Sequence, residues 1–132
     1  NKESEMCKNC EYKRKLGELK KERLRSYLIN KSMQERIEAE LKECKDAEKD
    51  DINDRLRKQR ESCRKTCMNI IMEIERLRNE DEKNVLFNRY ILGKKWEEIC
   101  VQFSMSWRNI HYIHKRALEN YRCDNKKTRI PD

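Results

Sequence analysis

The stretch Asn84–Tyr121, NVLFNRYILGKKWEEICVQFSMSWRNIHYIHKRALENY, decides how this chain is read. It holds most of the aromatic residues and an apolar pattern broken twice. Asp81 is placed to cap a short helix whose apolar side is Leu86, Tyr90 and Ile91. That helix ends at Gly93, the residue type that most readily takes a left-handed C-cap. Lys94 then links to a helix over Lys95–Phe103, which buries Trp96, Ile99, Cys100 and Phe103 and has Glu97 and Glu98 in its first turn, where the helix dipole favours acids. Ser104, Met105 and Ser106 interrupt the period. Met105 is expected to point into the small core, and Ser106 is a good N-cap for a helix from Trp107 to about Tyr121. Two helices joined by a short turn give a helix-turn-helix over residues 81–122.

The last helix has two faces. At about 100° per residue, Arg108, His111, Tyr112 and Lys115 fall within roughly 60° of one direction. Ile110, Ile113, His114, Ala117 and Tyr121 lie opposite. A buried face and an opposite row of long polar side chains is what a helix needs to sit in a DNA major groove and reach base edges and phosphates. His114, on the apolar side, is expected to be a hydrogen-bonded structural residue. Trp107 has two readings, contact with a sugar or thymine methyl and cover for the core edge, with a slight preference for the first.

Composition points the same way. Charged residues make up 44% of the 132-residue chain and the hydrophobic class 36%, with two Gly and one Pro, so there is little to build turns or sheet from. The expected fold class is all-α. The net charge of +8 and pI near 9.2 suit nucleic acid or an acidic partner, although Lys and Glu interleave through the first half as on a solvated helix face. From Ser104 to Ile130 seven cations (Arg108, Lys115, Arg116, Arg122, Lys126, Lys127, Arg129) face two anions, Glu119 and Asp124. The basic tail 123–132 reads equally as a flexible arm along the phosphate backbone and as a solvated end. No apolar run is long enough for a bilayer and the start carries no signal-peptide pattern, which predicts a cytoplasmic protein with no membrane partner.

Residues 1–12 are polar, without a period, and read as a frayed terminus. Over 13–80 the pattern predicts an antiparallel helical hairpin. Leu16, Leu19, Leu24, Tyr27, Leu28, Met33, Ile37, Leu41 and Cys44 mark the first stripe, with a bend near Asn30–Ser32 where Ser32 and Glu35 form a capping-box pair. Lys45–Asp54 reads as the polar turn, with Asp50 or Asp51 as cap. Ile52, Leu56, Cys63, Cys67, Ile70, Ile71, Ile74 and Leu77 mark the second stripe. The stripe is narrow, so a second copy is expected to cover it, which predicts a homodimer.

Seven cysteines in such a chain are expected to be thiols. Cys7 and Cys10 form one C-x-x-C, and Cys63 and Cys67 stand i,i+4. Together they offer four thiolates for zinc, but the motif spacing is incomplete and the place of Cys63 and Cys67 in the apolar stripe favours packing. No cofactor is expected. No nucleophile with its base, no metal set and no phosphate loop marks an enzyme.

The module resembles region 4 of bacterial sigma factors through Arg89, Tyr90, Gly93, Lys94, Trp96, Glu98, Ile99, Ser106, Arg108, Ile110, Ile113, His114, Arg116, Ala117 and Leu118. More closely, the combination of a helical N-terminal part with such a unit is similar to ArpU-like and RinA-like phage and prophage regulators. The likeness is strong over Asn84–Tyr121 and one of style only over Arg23–Leu77. It implies a transcriptional regulator acting on promoter double-stranded DNA, with RNA polymerase as a further partner. It implies DNA contact at Ser106, Trp107, Arg108, Asn109, His111, Tyr112 and Lys115; the basic residues Arg116, Lys94 and Lys95 are further candidate DNA contacts. Such helices often begin with two basic residues, whereas Trp107 takes the first position here, so the family's base preferences do not carry over. Two other readings stand beside this one: a small-terminase-like packaging protein, and a helical adaptor that binds RNA polymerase without DNA.

Overall fold

The computed structural model describes residues 2–43 and 50–123, with side chains from Cys10 onward. These residues form five α-helices and one π-helical turn, with no strand: α1 Lys2–Glu43, α2 Asp50–Glu75, α3 Glu80–Leu86, the π-turn Phe87–Ile91, α4 Trp96–Phe103 and α5 Trp107–Asn120. Helix α1 has 42 residues and is about 60 Å long at 1.5 Å per residue. It begins at Lys2, well before the apolar period starts. It also runs straight through Asn30–Ser32, where a bend was expected. Polar side chains at and just before that point bond back to the helix: Ser26 Oγ donates to the Arg23 carbonyl at 2.6 Å and Asn30 Nδ2 to the Ser26 carbonyl at 2.8 Å. Their hydrogen-bonding capacity is met on the helix's own carbonyls, so nothing forces a break.

Helices α1 and α2 pack as an antiparallel hairpin, as the two stripes predict. Arg23 faces Glu73, the Cys67 thiol lies 3.6 Å from the Tyr27 carbonyl, and Gln59 reaches Met33 Sδ at 3.4 Å. Asp50–Asp54 is already helical, with Asp50 and Asp51 in the first turn of α2 rather than capping it. The rest of the expected turn, Cys44 and the tail beyond Cys123 lie outside the described residues. Four stripe positions, Leu19, Leu28, Met33 and Ile52, turn out exposed. Tyr27 and Leu28 are neighbours about 100° apart, so only one of them can face the seam. Tyr27 does.

The hairpin also separates the cysteines. Cys67 sits level with Tyr27, and Cys63 one turn farther from Cys10. Cys10 lies on α1 about 25 Å from that level at helical rise. These side chains cannot reach a common metal, and Cys7's side chain is outside the described residues. Cys63 and Cys67 are buried in the seam, and burial pushes the Cys67 thiol pKa up, away from the thiolate a metal needs.

Beyond α2 the chain breaks at residues 76–79, slightly earlier than the acidic cluster suggests. The cap of α3 is Asn79, not Asp81: its side chain accepts from the Glu82 amide at 3.0 Å. Leu77 turns inward and joins one large core with Leu24, Ile70 and Ile74 of the hairpin, Leu86 and Tyr90 of the next segment, and Ala117, Leu118 and Tyr121. A smaller core holds Val85, Ile99 and Ile110, with Trp96, Cys100, Phe103, Met105 and Ile113 packed around it. Met105 does point inward, as expected. The upper hairpin seam is therefore covered by this chain's own C-terminal helices, which fixes α5 relative to α1.

Polar groups at the joint tighten it. Lys20 of α1 is buried and donates from Nζ to the Leu118 carbonyl at 2.7 Å, satisfying a carbonyl that the end of α5 leaves free. Asn120 donates to Glu82 of α3.

Candidate functional site

Three residues, Ser104–Ser106, turn α4 into α5. Ser104 takes the left-handed conformation at φ 52° and ends α4. Ser106 has extended backbone, and its Oγ accepts from the Asn109 amide at 3.1 Å, the N-cap expected from sequence. Replacing Ser106 with Ala leaves that amide without its partner; an expected loss of about 1 kcal/mol would be read from chemical unfolding. Before α4, Gly93 stands at φ 68°, a conformation glycine adopts at no steric cost. A Cβ there would meet Leu28 Cδ1 of α1 at 3.3 Å, a close contact with the end of an exposed side chain, so it is the backbone conformation that selects glycine.

The segment leading to Gly93 is not a plain α-helix. Phe87–Ile91 widens into a π-turn, closed by the Leu92 amide on the Phe87 carbonyl at 3.1 Å and the Lys94 amide on the Asn88 carbonyl at 3.0 Å. Arg89 then donates from Nη1 to the Lys94 carbonyl at 3.0 Å and lies over the Trp96 ring at 4.7 Å. This ties the turn to the start of α4. Lys94 is half-buried, with Nζ 2.6 Å from Gln102 Oε1; Lys95, at the α4 N-cap, is exposed.

Helix α5 divides much as its sequence angles predict. Ile110, His114, Ala117 and Leu118 are buried, and Ile113 is half-buried. Arg108, Tyr112 and Lys115 form an exposed row, with Tyr112 60% exposed. Arg108 and Lys115 are two turns apart, about 10 Å, or roughly three steps of a DNA strand. Ser106, Asn109 and Arg116 are exposed on the adjoining flank.

His111 departs from expectation. It is half-buried, its ring 4.5 Å from Trp96 and 4.2 Å from Trp107, and its Nε2 is shielded with no partner. Burial, then Arg89, holds its pKa below the usual histidine value. It serves as a neutral spacer between two indoles. The helical angle put it at the margin of the exposed row, and only the packing of Trp96 moved it inside. Trp107 packs its ring against His111, as a residue covering the core edge would, and stays 53% exposed.

His114 is the structural histidine expected. It is 8% exposed, and its Nε2 lies 2.8 Å from Tyr90 Oη. Burial, reinforced by Lys21, His111, Arg89 and Arg25, lowers its pKa to about 4. Tyr90's phenol is pushed up to about 12 by burial, so it remains protonated beside the ring.

Among the described residues no helix is long and apolar enough to cross a membrane. No family model, curated protein or solved structure matches this chain.

Proposed function

We propose that this chain is a sequence-specific DNA-binding transcriptional regulator of the phage or prophage type, like the ArpU-like and RinA-like regulators that its combination of a helical N-terminal part and a sigma-region-4-like unit resembles. The observation that carries the reading is the division of α5. Arg108, Tyr112 and Lys115 stand free along one side, while Ile110, His114 and Ala117 fix the other to the core. The Ser104–Ser106 turn makes α4 and α5 a helix-turn-helix, with α5 as recognition helix. Arg108 near its start is the side chain suited to a bidentate bond with guanine O6 and N7, and Tyr112 presents a flat apolar ring to a thymine methyl. Lys115, Arg116 and Lys95 are suited to phosphates. Two copies would read paired half-sites, so we extend the proposal to a homodimer whose hairpins set the half-site spacing.

Selection of bound sequences from random double-stranded DNA tests this directly. Enrichment of one site supports it, and no binding even at low salt overturns it in favour of a helical adaptor that contacts only protein. Mass measurement in solution distinguishes a dimer from the ring-sized oligomer of a packaging protein. Once a site is known, Arg108→Ala is expected to weaken specific binding by about 1–3 kcal/mol and relax preference at one position. An unchanged preference would remove Arg108 from base reading.

A further inference from the structure

Beside the exposed row of α5, a cleft of about 400 Å³ opens between α1, the π-turn and the start of α4. Its charge is of one sign. Lys21 and Arg25 enter from α1 and Arg89 from the π-turn, while Trp96, His111 and Tyr90 form much of the wall. No acid lines it. Glu18 pairs with Lys21 at 3.1 Å as an exposed i,i+3 pair, a screened contact that leaves other Lys21 donors open. Among the described residues no carboxylate lies within salt-bridge distance of Arg25 or Arg89.

Three cations gathered on low-dielectric aromatic walls repel one another and focus a positive field into the cleft. Arg89 is held by the Lys94 carbonyl and Trp96, Lys21 is half-buried on α1, and Arg25 is exposed one turn on. Burial holds both histidines that line the cleft below the usual histidine pKa, so the positive charge comes from Lys21, Arg25 and Arg89. His111 adds a ring nitrogen with no partner.

We infer that this cleft is a phosphate-binding site in which Lys21, Arg25 and Arg89 hold phosphoryl oxygens. Arg89 presents a planar fork and the two α1 residues complete the charge. The phosphate has two possible sources. One is the DNA backbone alongside the groove that α5 enters, which makes α1 part of the DNA interface and rests on the function proposed above. The other is a free phosphorylated small molecule, which does not depend on that reading.

The test compares the wild-type chain with Lys21→Gln/Arg25→Gln, and with Lys21→Arg/Arg25→Lys as the charge-conserving control. Matching thermal unfolding curves establish that all three are folded. Pyrophosphate is titrated while the Trp96 indole N–H resonance is followed, and a duplex carrying the selected site is titrated over a salt series. A free-ligand source predicts saturable movement of the indole resonance, at least tenfold weaker in the Gln variant and retained in the control. A backbone source predicts weaker duplex binding by the Gln variant, with the salt slope reduced by about 0.9 per lost phosphate contact and sequence preference unchanged. Absence of both effects overturns the inference. A wild-type chain that binds pyrophosphate but no duplex keeps the cleft and sinks the proposed function.

Discussion

Glu73→Ala is expected to cost about 3–5 kcal/mol of folding stability, a large share of the 5–15 kcal/mol typical of a domain. Glu73 lies on α2, is 1% exposed, and receives a two-pronged contact from Arg23 of α1, with Nε–Oε1 3.2 Å and Nη2–Oε2 2.9 Å. Tyr121, fully buried just after α5, donates its hydroxyl to the same Oε1. Burial, then that hydrogen bond, pushes the Tyr121 phenol pKa far up, so it remains a donor. Removing the carboxylate strands a mostly buried guanidinium and a buried hydroxyl together. Urea unfolding measures the loss, and a change under about 1 kcal/mol would show that water replaces the carboxylate at little cost. The combination Arg23→Met, Glu73→Leu and Tyr121→Phe, which replaces these three polar groups together, is expected to recover most of the stability. This contact joins α1, α2 and the end of α5, so in Glu73→Ala the angle of α5 on the hairpin should loosen too.

Acidification is expected to destabilise the fold by up to about 3 kcal/mol through His114 alone. The histidine pKa is about 4 in the fold against 6.5 for the free side chain. The unfolded chain therefore binds a proton that the folded chain refuses between those values. The contribution is complete above about pH 6.5 and is lost as the pH falls toward 4. A neutral ring accepts from the Tyr90 hydroxyl at Nε2 or donates to it; a charged ring loses the first arrangement and must carry its charge among Lys21 and Arg25 of α1, Arg89 of the π-turn and His111 of its own helix. Unfolding free energies at pH 7 and pH 4.5 measure the effect against His114→Gln, which removes the titrating group. Equal pH dependence in both proteins would mean that His114 titrates normally.

Most of the fold was legible because helices write themselves as a 3.6-residue period. The hairpin, the Gly93 C-cap, the Ser106 N-cap and the two faces of α5 all follow from residue type and spacing over a few turns. Caps at Asn79 and the unbroken α1 were less legible. Several acids or amides near each site offer equivalent local chemistry, and distant packing chooses among them. For the candidate site, the row Arg108, Tyr112 and Lys115 came from angle alone. His111 did not, because its burial depends on Trp96, which is fifteen positions earlier and on another helix.

What the sequence by itself determined, then, is the all-helical character, the two stripes that pair α1 with α2, and the amphipathic last helix with its capped start. These are local properties, set by propensity and period. Tertiary structure alone decided which polar residues among the 44% charged would matter. Glu73, Arg23 and Lys20 look like any others on a solvated helix face until the chain brings Tyr121 and the Leu118 carbonyl against them. The meeting of Lys21 and Arg25 with Arg89 arises in the same way. Charge carries no period that reveals its partner. Its effect depends on distance and burial, and both are fixed only when α1 packs on the C-terminal helices.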